Sequence, residues 1–370
     1  MDKEKRFDIK EIAGNFTFEG RFIEAEPYGY GHINDTFAAR FKKEDGSGHR
    51  YILQRINHRV FKNPEKLMGN IEGITRHLRE KILQTGGDPD RETLNLIPAL
   101  DEKCFYKDPE GNYWRGYIFI EDAQTYQVVE KPLHFYHAGR AFGRFQKLLG
   151  DYPAETLYET IADFHHTPKR LEALKAAIER NTMNRAAGAK AELDFALARA
   201  DYAPILVDLL KRGKLPLRVT HNDTKFNNVM IDNRTGEGIC VIDLDTVMPG
   251  LSLYDFGDSI RFGTNPAPED ERDLSKVWME LGLFEQFARG FLEAAGGSFT
   301  KEEVEFMPFS AEIMTFECGI RFLTDYLNGD TYFKIHREGH NLDRARTQFK
   351  LLEDMERKFD KMAAIVNRYA

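Results

Sequence analysis

The feature that most constrains this chain is a change of hydrophobic period near Ile120. Before it, apolar residues recur every second position or in short runs, at Phe16–Ile23, Thr36–Phe41, Tyr51–Ile56, Asn95–Leu100 and Tyr113–Ile120. Turn-forming stretches divide these runs, among them Glu44–Gly48 and Pro109–Asn112. One helix interrupts the strands: Asn63 is a good N-cap, and Pro64 suits the first helical position of a segment reaching Lys81. After Ile120 the period becomes helical, over Pro132–Leu149, Lys169–Arg180, Ala191–Arg212, Leu274–Ala295, Lys301–Leu327 and Asp343–Tyr369. A short β segment (Leu217–Val219, Val229–Asp232, Ile239–Asp243) is embedded among them. At 370 residues, two lobes are expected: residues 1–120, a small β-rich lobe, and 121–370, a large helical one. The fold class expected is α+β with two lobes.

Composition bounds the partners. A net charge of −8 argues against a nucleic-acid binder and against docking on an acidic membrane surface. Met1–Phe7 is polar and charged with no apolar run behind it, and no stretch reaches the roughly 18 apolar residues that span a bilayer. Cys104, Cys240 and Cys318 are odd in number and far apart, which fits buried thiols in a reducing compartment. A cytoplasmic protein is expected.

The chemistry is concentrated in one segment, His221-Asn222-Asp223-Thr224-Lys225-Phe226-Asn227-Asn228, followed after a hairpin by Cys240-Val241-Ile242-Asp243-Leu244-Asp245. Phosphoryl transfer from ATP needs a carboxylate to orient the attacking hydroxyl and accept its proton, a cation for the γ-phosphate, and oxygen ligands for Mg2+. Asp223, Lys225, and the pair Asn228 and Asp243 are the candidates in that order. The alternative is a loop of solvated polar residues closing a hairpin, but the His, Asp and Asn spacing is that of a kinase catalytic loop. His221 reads as a structural hydrogen-bonder, and Asp245 as a second carboxylate able to hold a water on the metal.

This segment, with Tyr254–Phe262 beyond it, resembles the aminoglycoside-phosphotransferase superfamily. Within that superfamily the chain is most similar to bacterial N-acetylhexosamine 1-kinases, through Glu26–Asn34, Tyr51–Gln54, Phe164–Pro168 and Glu317–Leu323. The resemblance implies transfer of the ATP γ-phosphate, with magnesium, to the anomeric hydroxyl of GlcNAc or GalNAc. Other acceptors of the same fold (an aminoglycoside, choline, homoserine) and a non-catalytic nucleotide-binding module are the alternatives.

The remaining candidates carry weaker signals. Gly29 and Gly31, between two strands, read as a loop over the nucleotide phosphates or as a plain hairpin turn. Gln54 stands where a kinase carries its strand-three lysine, with Arg55 pointing to the other sheet face. That leaves Lys225 as the expected phosphate partner, and Glu72 as either a contact of Gln54 or a solvated helix residue. Phe119 and Glu121 mark the segment joining the lobes, whose backbone would meet adenine. His32 is a sugar contact or a loop residue. Arg321 either pairs with Glu317 at i,i−4 or reaches the acceptor, as the resemblance implies. His165-His166 lacks metal-ligand spacing.

Overall fold

The computed structural model describes residues 7–29, 31 and 33–370. In chain order its elements begin with α1 (Ile9–Ala13), β1 (Arg21–Pro27), β2 (Asp35–Lys42), β3 (Gly48–Ile56), α2 (Pro64–Gln84), α3 (Pro89–Glu92), β4 (Leu96–Ile97), β5 (Tyr106–Lys107), β6 (Tyr113–Ile118) and β7 (Ala123–Gln124). There follow α4 (Pro132–Leu148), α5 (Thr167–Arg180), α6 (Lys190–Leu197), α7 (Ile205–Lys211), β8 (Arg218–Thr220), β9 (Val229–Asp232), β10 (Gly238–Val241) and β11 (Met248–Gly250). Four helices complete the chain: α8 (Ser252–Gly263), α9 (Leu281–Ala295), α10 (Lys301–Leu327) and α11 (His340–Tyr369). The fold is α+β, an antiparallel-sheet lobe and a helical lobe.

The chain forms two compact units. The first comprises the described residues of Met1–Ala123 with Leu157–Ile161 and Ile239–Val247, and the second comprises Gln124–Thr156, Ala162–Gly238 and Met248–Ala370. In the first unit an antiparallel sheet runs β1-β2-β3-β6-β4, with β5 also on β6. Period-2 alternation sorts β3: Tyr51 and Leu53 enter an aromatic core with Phe16, Phe41 and Trp114. Gln54 faces the other way, opposite Arg115 in the register. Helix α2 starts as expected, the Asn63 side chain accepting the Lys66 N–H with Pro64 in its first turn.

In the second unit, α4 and α9 pack at backbone distance: a Cβ on Gly143 would lie 2.1 Å from the Phe291 carbonyl oxygen. Phe256 of α8 meets Phe284, Phe287 and Phe291 of α9. Its neighbour Gly257 lies against α10, where a Cβ would stand 2.2 Å from the Ser310 carbonyl. These contacts fix α8, and α8 in turn holds the catalytic segment.

The structure departs from the sequence reading in three helical regions. The expected helix over Ala191–Arg212 is broken into α6, a 3-10 turn at Ala200–Tyr202, and α7, with Pro204 at the break. Leu274–Lys276 is a 3-10 turn, and the regular helix begins only at Leu281. Helix α8 was not expected. Eleven of its twelve residues are buried, Asp255, Asp258 and Arg261 among them, so burial along it does not follow residue type. Among the described residues no helix is long and apolar enough to cross a membrane, and Cys104, Cys240 and Cys318 are free thiols.

Candidate active site

In the second unit the catalytic segment leaves β8 at Thr220, and β8 is held antiparallel to β11. Asn222 turns the chain through a left-handed conformation, φ 65°. The backbone there is tied down by two aspartates of α8. Asp255 is fully buried. Its Oδ1 accepts the Asn222 N–H at 2.8 Å; its Oδ2 accepts the His221 N–H at 2.9 Å and Gln146 Nε2 at 2.7 Å. Asp258 accepts the Thr224 N–H at 3.0 Å and is paired to Arg261. Burial raises the Asp255 carboxyl above its ordinary value, although His221 and the amide donors favour its charged form. A linear sequence pattern reveals neither role, because each carboxylate lies 33 or 34 residues from the segment N–H groups it holds.

Asp223, Lys225 and Asn228 come together on this segment. Lys225 Nζ lies 2.8 Å from Asp223 Oδ1. Asn228 Nδ2 donates to the Asp223 carbonyl at 2.8 Å and reaches its Oδ2 at 3.4 Å. Burial opposes ionisation of Asp223, but Lys225, His221 and Arg261 outweigh it, so its carboxyl lies below the usual carboxylate range. Asp223 holds the Lys225 ammonium above its usual value. His221 is buried between Phe142 and Phe145, and its Nδ1 accepts the Asp223 N–H at 3.3 Å. That is the structural part expected of it.

Two further stretches of the second unit meet at this segment. His165 places Nε2 2.9 Å from the Asn222 carbonyl and Nδ1 2.8 Å from Glu317 Oε1, while Thr167 Oγ1 donates to Glu317 Oε2 at 2.6 Å. Glu317 is therefore bonded to His165 and Thr167, and the pairing with Arg321 is not made. The Arg321 guanidinium instead lies over the Phe164 and Phe333 rings, 5.2 and 5.7 Å from their centroids. His166 caps α5 through the Lys169 N–H, so neither adjacent histidine has the setting of a metal ligand.

The first unit carries the other candidates. Gly29 lies in the turn between β1 and β2 with φ +82°, and a Cβ on Gly29 or Gly31 would meet nothing within 4 Å. His32 lies outside the described residues. Gln54 Nε2 donates to Thr36 Oγ1 at 2.8 Å, and its Oε1 accepts Arg115 Nε and Nη2 at 2.9 and 2.6 Å. The expected contact with Glu72 is not made; that residue is exposed. Asp243 opens a 3-10 turn with φ 60°, in the left-handed region. One carboxylate oxygen of Asp245 accepts Arg115 Nη1 and the other accepts Asn34 Nδ2 at 2.6 Å. At the end of the sheet the Glu121 carboxylate is paired to Arg50, and its carbonyl accepts Arg91 Nη1. The Phe119 N–H is bonded to the Arg50 carbonyl. Among the described residues the Phe119 carbonyl and the Glu121 N–H have no partner.

The donors available to a metal are hard oxygens. Among the described residues no group of three His, Cys, Asp or Glu side chains could hold one. Asn228 commits its Nδ2 to Asp223, leaving Oδ1 as the free donor atom. Amide and carboxylate oxygens are the hard donors that magnesium takes.

An antiparallel-sheet unit, a helical unit and an Asp-Lys-Asn catalytic segment define the kinase-like class of small-molecule phosphotransferases. Residues 24–306 match the phosphotransferase enzyme family APH, and the chain belongs to that family. Solved structures share the fold. An aminoglycoside phosphotransferase from Alicyclobacillus acidocaldarius is 10% identical over 99% of this chain and 98% of that one, with a TM-score of 0.64. A spectinomycin phosphotransferase bound to ADP and spectinomycin is 14% identical over 95% and 98%, with a TM-score of 0.58. Amicoumacin kinase bound to AMP-PNP and Ca2+ is 13% identical over 96% and 94%, with a TM-score of 0.58.

Proposed function

We propose that this protein transfers the γ-phosphate of ATP to the anomeric hydroxyl of an N-acetylhexosamine, giving the sugar 1-phosphate and ADP. The observation that carries the sugar reading is the meeting of two stretches that bear the resemblance, Phe164–Pro168 and Glu317–Leu323. They join through His165, Thr167, Glu317 and Arg321, and His165 ties them to the catalytic segment. Arg321 presents a planar head with several N–H donors, lying over the Phe164 and Phe333 rings and near enough to Glu317 for the two charges to attract. That suits a contact to ring hydroxyls or an acetamide carbonyl.

Asp223 orients the acceptor hydroxyl and takes its proton late, since a loose transition state asks little activation of the nucleophile. Its lowered carboxyl keeps it ionised and able to accept. Lys225, beside it, reaches the transferring phosphate. Asn228 and Asp243 are the ligands for magnesium, which neutralises phosphate charge when bound. Gly29 and Gly31 let backbone N–H groups approach the phosphates. The unpartnered Phe119 carbonyl and Glu121 N–H suit an adenine edge. The cytoplasm is the proposed location, and His32 remains a proposed acceptor contact.

The test is a panel of free sugars and amino alcohols incubated with ATP and magnesium, followed by ADP release. Turnover with N-acetylhexosamines above all other acceptors is expected. Turnover confined to choline, homoserine or an aminoglycoside would replace the sugar reading.

A further inference from the structure

Gln54 stands where the kinase pattern expects a lysine, yet a cation does lie beside it. Arg115 is directly opposite in the register of β3 and β6, and only 1% exposed. Its Nε and Nη2 grip Gln54 Oε1, and its Nη1 grips Asp245. Burial opposes the charge of Arg115, but the Asp245 carboxylate, with Tyr117 and Asp243 adding to it, holds the guanidinium charged. The second oxygen of Asp245 accepts Asn34 Nδ2 at 2.6 Å. Asn34 is in turn fixed through its Oδ1, which accepts the Asn57 N–H at 2.9 Å, while Asn57 Nδ2 donates to the Ile33 carbonyl at 3.1 Å. Asn34 ends the loop that carries Gly29 and Gly31, one residue before β2.

Asp245 belongs to the same 3-10 turn that Asp243 opens. Both of its oxygens are occupied, one by the sheet and one by the loop. A carboxylate pinned at both oxygens fixes the short turn it sits on, and with it the direction in which Asp243 presents its own carboxylate. We propose that Asn34 is a positioning residue that couples the glycine-containing loop to the metal-binding carboxylate Asp243, through an Asn34–Asp245–Arg115 relay. The proposal rests on the functional reading above for the role of Asp243. In this relay the cation sits one strand further along the sheet than the expected lysine. Its carboxylate partner comes from the metal-binding turn and not from helix α2. Nucleotide phosphates held by the loop, and the metal ion they carry, are therefore bound together: disturbing the loop end weakens the metal's share of the affinity.

The test measures binding of AMP-PNP by titration calorimetry, with and without magnesium, for wild type and Asn34→Ala. The substitution leaves the Arg115–Asp245 pair intact but removes the hydrogen bonds to Asp245 and from the Asn57 N–H, so a folded protein with a melting temperature lower by several degrees is expected, and binding is measured well below it. Asn34→Ala should reduce the magnesium-dependent gain in affinity by about five- to tenfold, the scale of a typical coupling between sites. Metal-free binding should be unchanged. An equal loss with and without magnesium would make Asn34 a loop residue only, and an unaltered gain would remove it from the relay; either result overturns the proposal. If Asn34→Ala does not fold, Asn34→Ser is measured against the same criteria. A wild-type protein that binds AMP-PNP no better with magnesium would instead overturn the functional reading itself.

Discussion

Replacing Asp255 with Asn tests how the catalytic segment is held. The carboxylate accepts three N–H groups, from His221, Asn222 and Gln146, at 2.9, 2.8 and 2.7 Å. The least disruptive placement of the new amide keeps its oxygen at the Oδ2 position, with two donors, and puts its NH2 group where Oδ1 faced the Asn222 N–H. One charge-assisted hydrogen bond is then lost, and two buried donors confront one another. A hydrogen bond to a charged group contributes about 1.5–3 kcal/mol net, and an unsatisfied buried donor costs about 1–3 kcal/mol. Together these give a loss of roughly 3–6 kcal/mol, a melting-temperature drop on the order of ten degrees for a unit of this size. Asn222 is the left-handed residue immediately before Asp223, so the loosening falls on the atom that positions the acceptor. A displacement on the order of 1 Å costs about 10²-fold in rate. The assay is steady-state kinetics beside a thermal melt: kcat should fall about 10²-fold while the KM for ATP hardly moves. A folded Asp255→Asn variant with kcat within about threefold of wild type would refute the argument that Asp255 holds the segment in place.

Three other outcomes are expected. Asp223→Asn keeps the shape but removes the charge and the proton acceptor, so turnover should fall by about 10² or more. Because the wild-type carboxyl lies below the usual range, it stays ionised as pH falls from 8 to 5, and no acid limb in kcat between those values should trace to Asp223. A limb there that vanishes in the variant would contradict this assignment. Arg321→Leu should raise the acceptor KM or lower turnover while ATP affinity is preserved; a folded variant fully active on sugar would remove Arg321 from the acceptor site. Glu312, 4% exposed with Oε1 unpartnered, is pushed up to about 8 chiefly by burial, with Glu356 adding to it. Its folded form binds a proton that the unfolded chain has released, so stability falls as pH rises from the ordinary carboxyl value to about 8, and then levels. Glu312→Met should therefore raise the melting temperature at pH 9 more than at pH 5, by a difference on the order of a few kcal/mol in stability. Equal shifts at both pH values would mean Glu312 is not held protonated.

What could be read from the sequence was what lies close together along the chain. Asp223, Lys225 and Asn228 fall within six residues, and the turn after Lys225 closes them into one hydrogen-bonded group, so spacing sufficed. The alternating strands and the capped start of α2 were legible for the same reason. Helix α8 was not, and with it went the anchoring roles of Asp255 and Asp258, since charged residues on a short helical stretch read as a solvated face and here they are buried. The partner of Asp245 was beyond reach of any local pattern: Arg115 is 130 residues away, on a strand where a buried charge is not expected. Arg321 had two readings in sequence; the structure bonds Glu317 to His165 and Thr167 and sets the Arg321 guanidinium over two aromatic rings, contacts that no local pattern shows.

The central claim is tested most directly by the position of the transferred phosphate. Purified protein, ATP, magnesium and N-acetylglucosamine or N-acetylgalactosamine are incubated, and the product is examined by proton and phosphorus NMR. A non-reducing, acid-labile product whose anomeric proton couples to phosphorus is expected. A phosphate on C6 or any other carbon, with the reducing end intact, would contradict it, as would no turnover of either hexosamine by a protein that binds nucleotide.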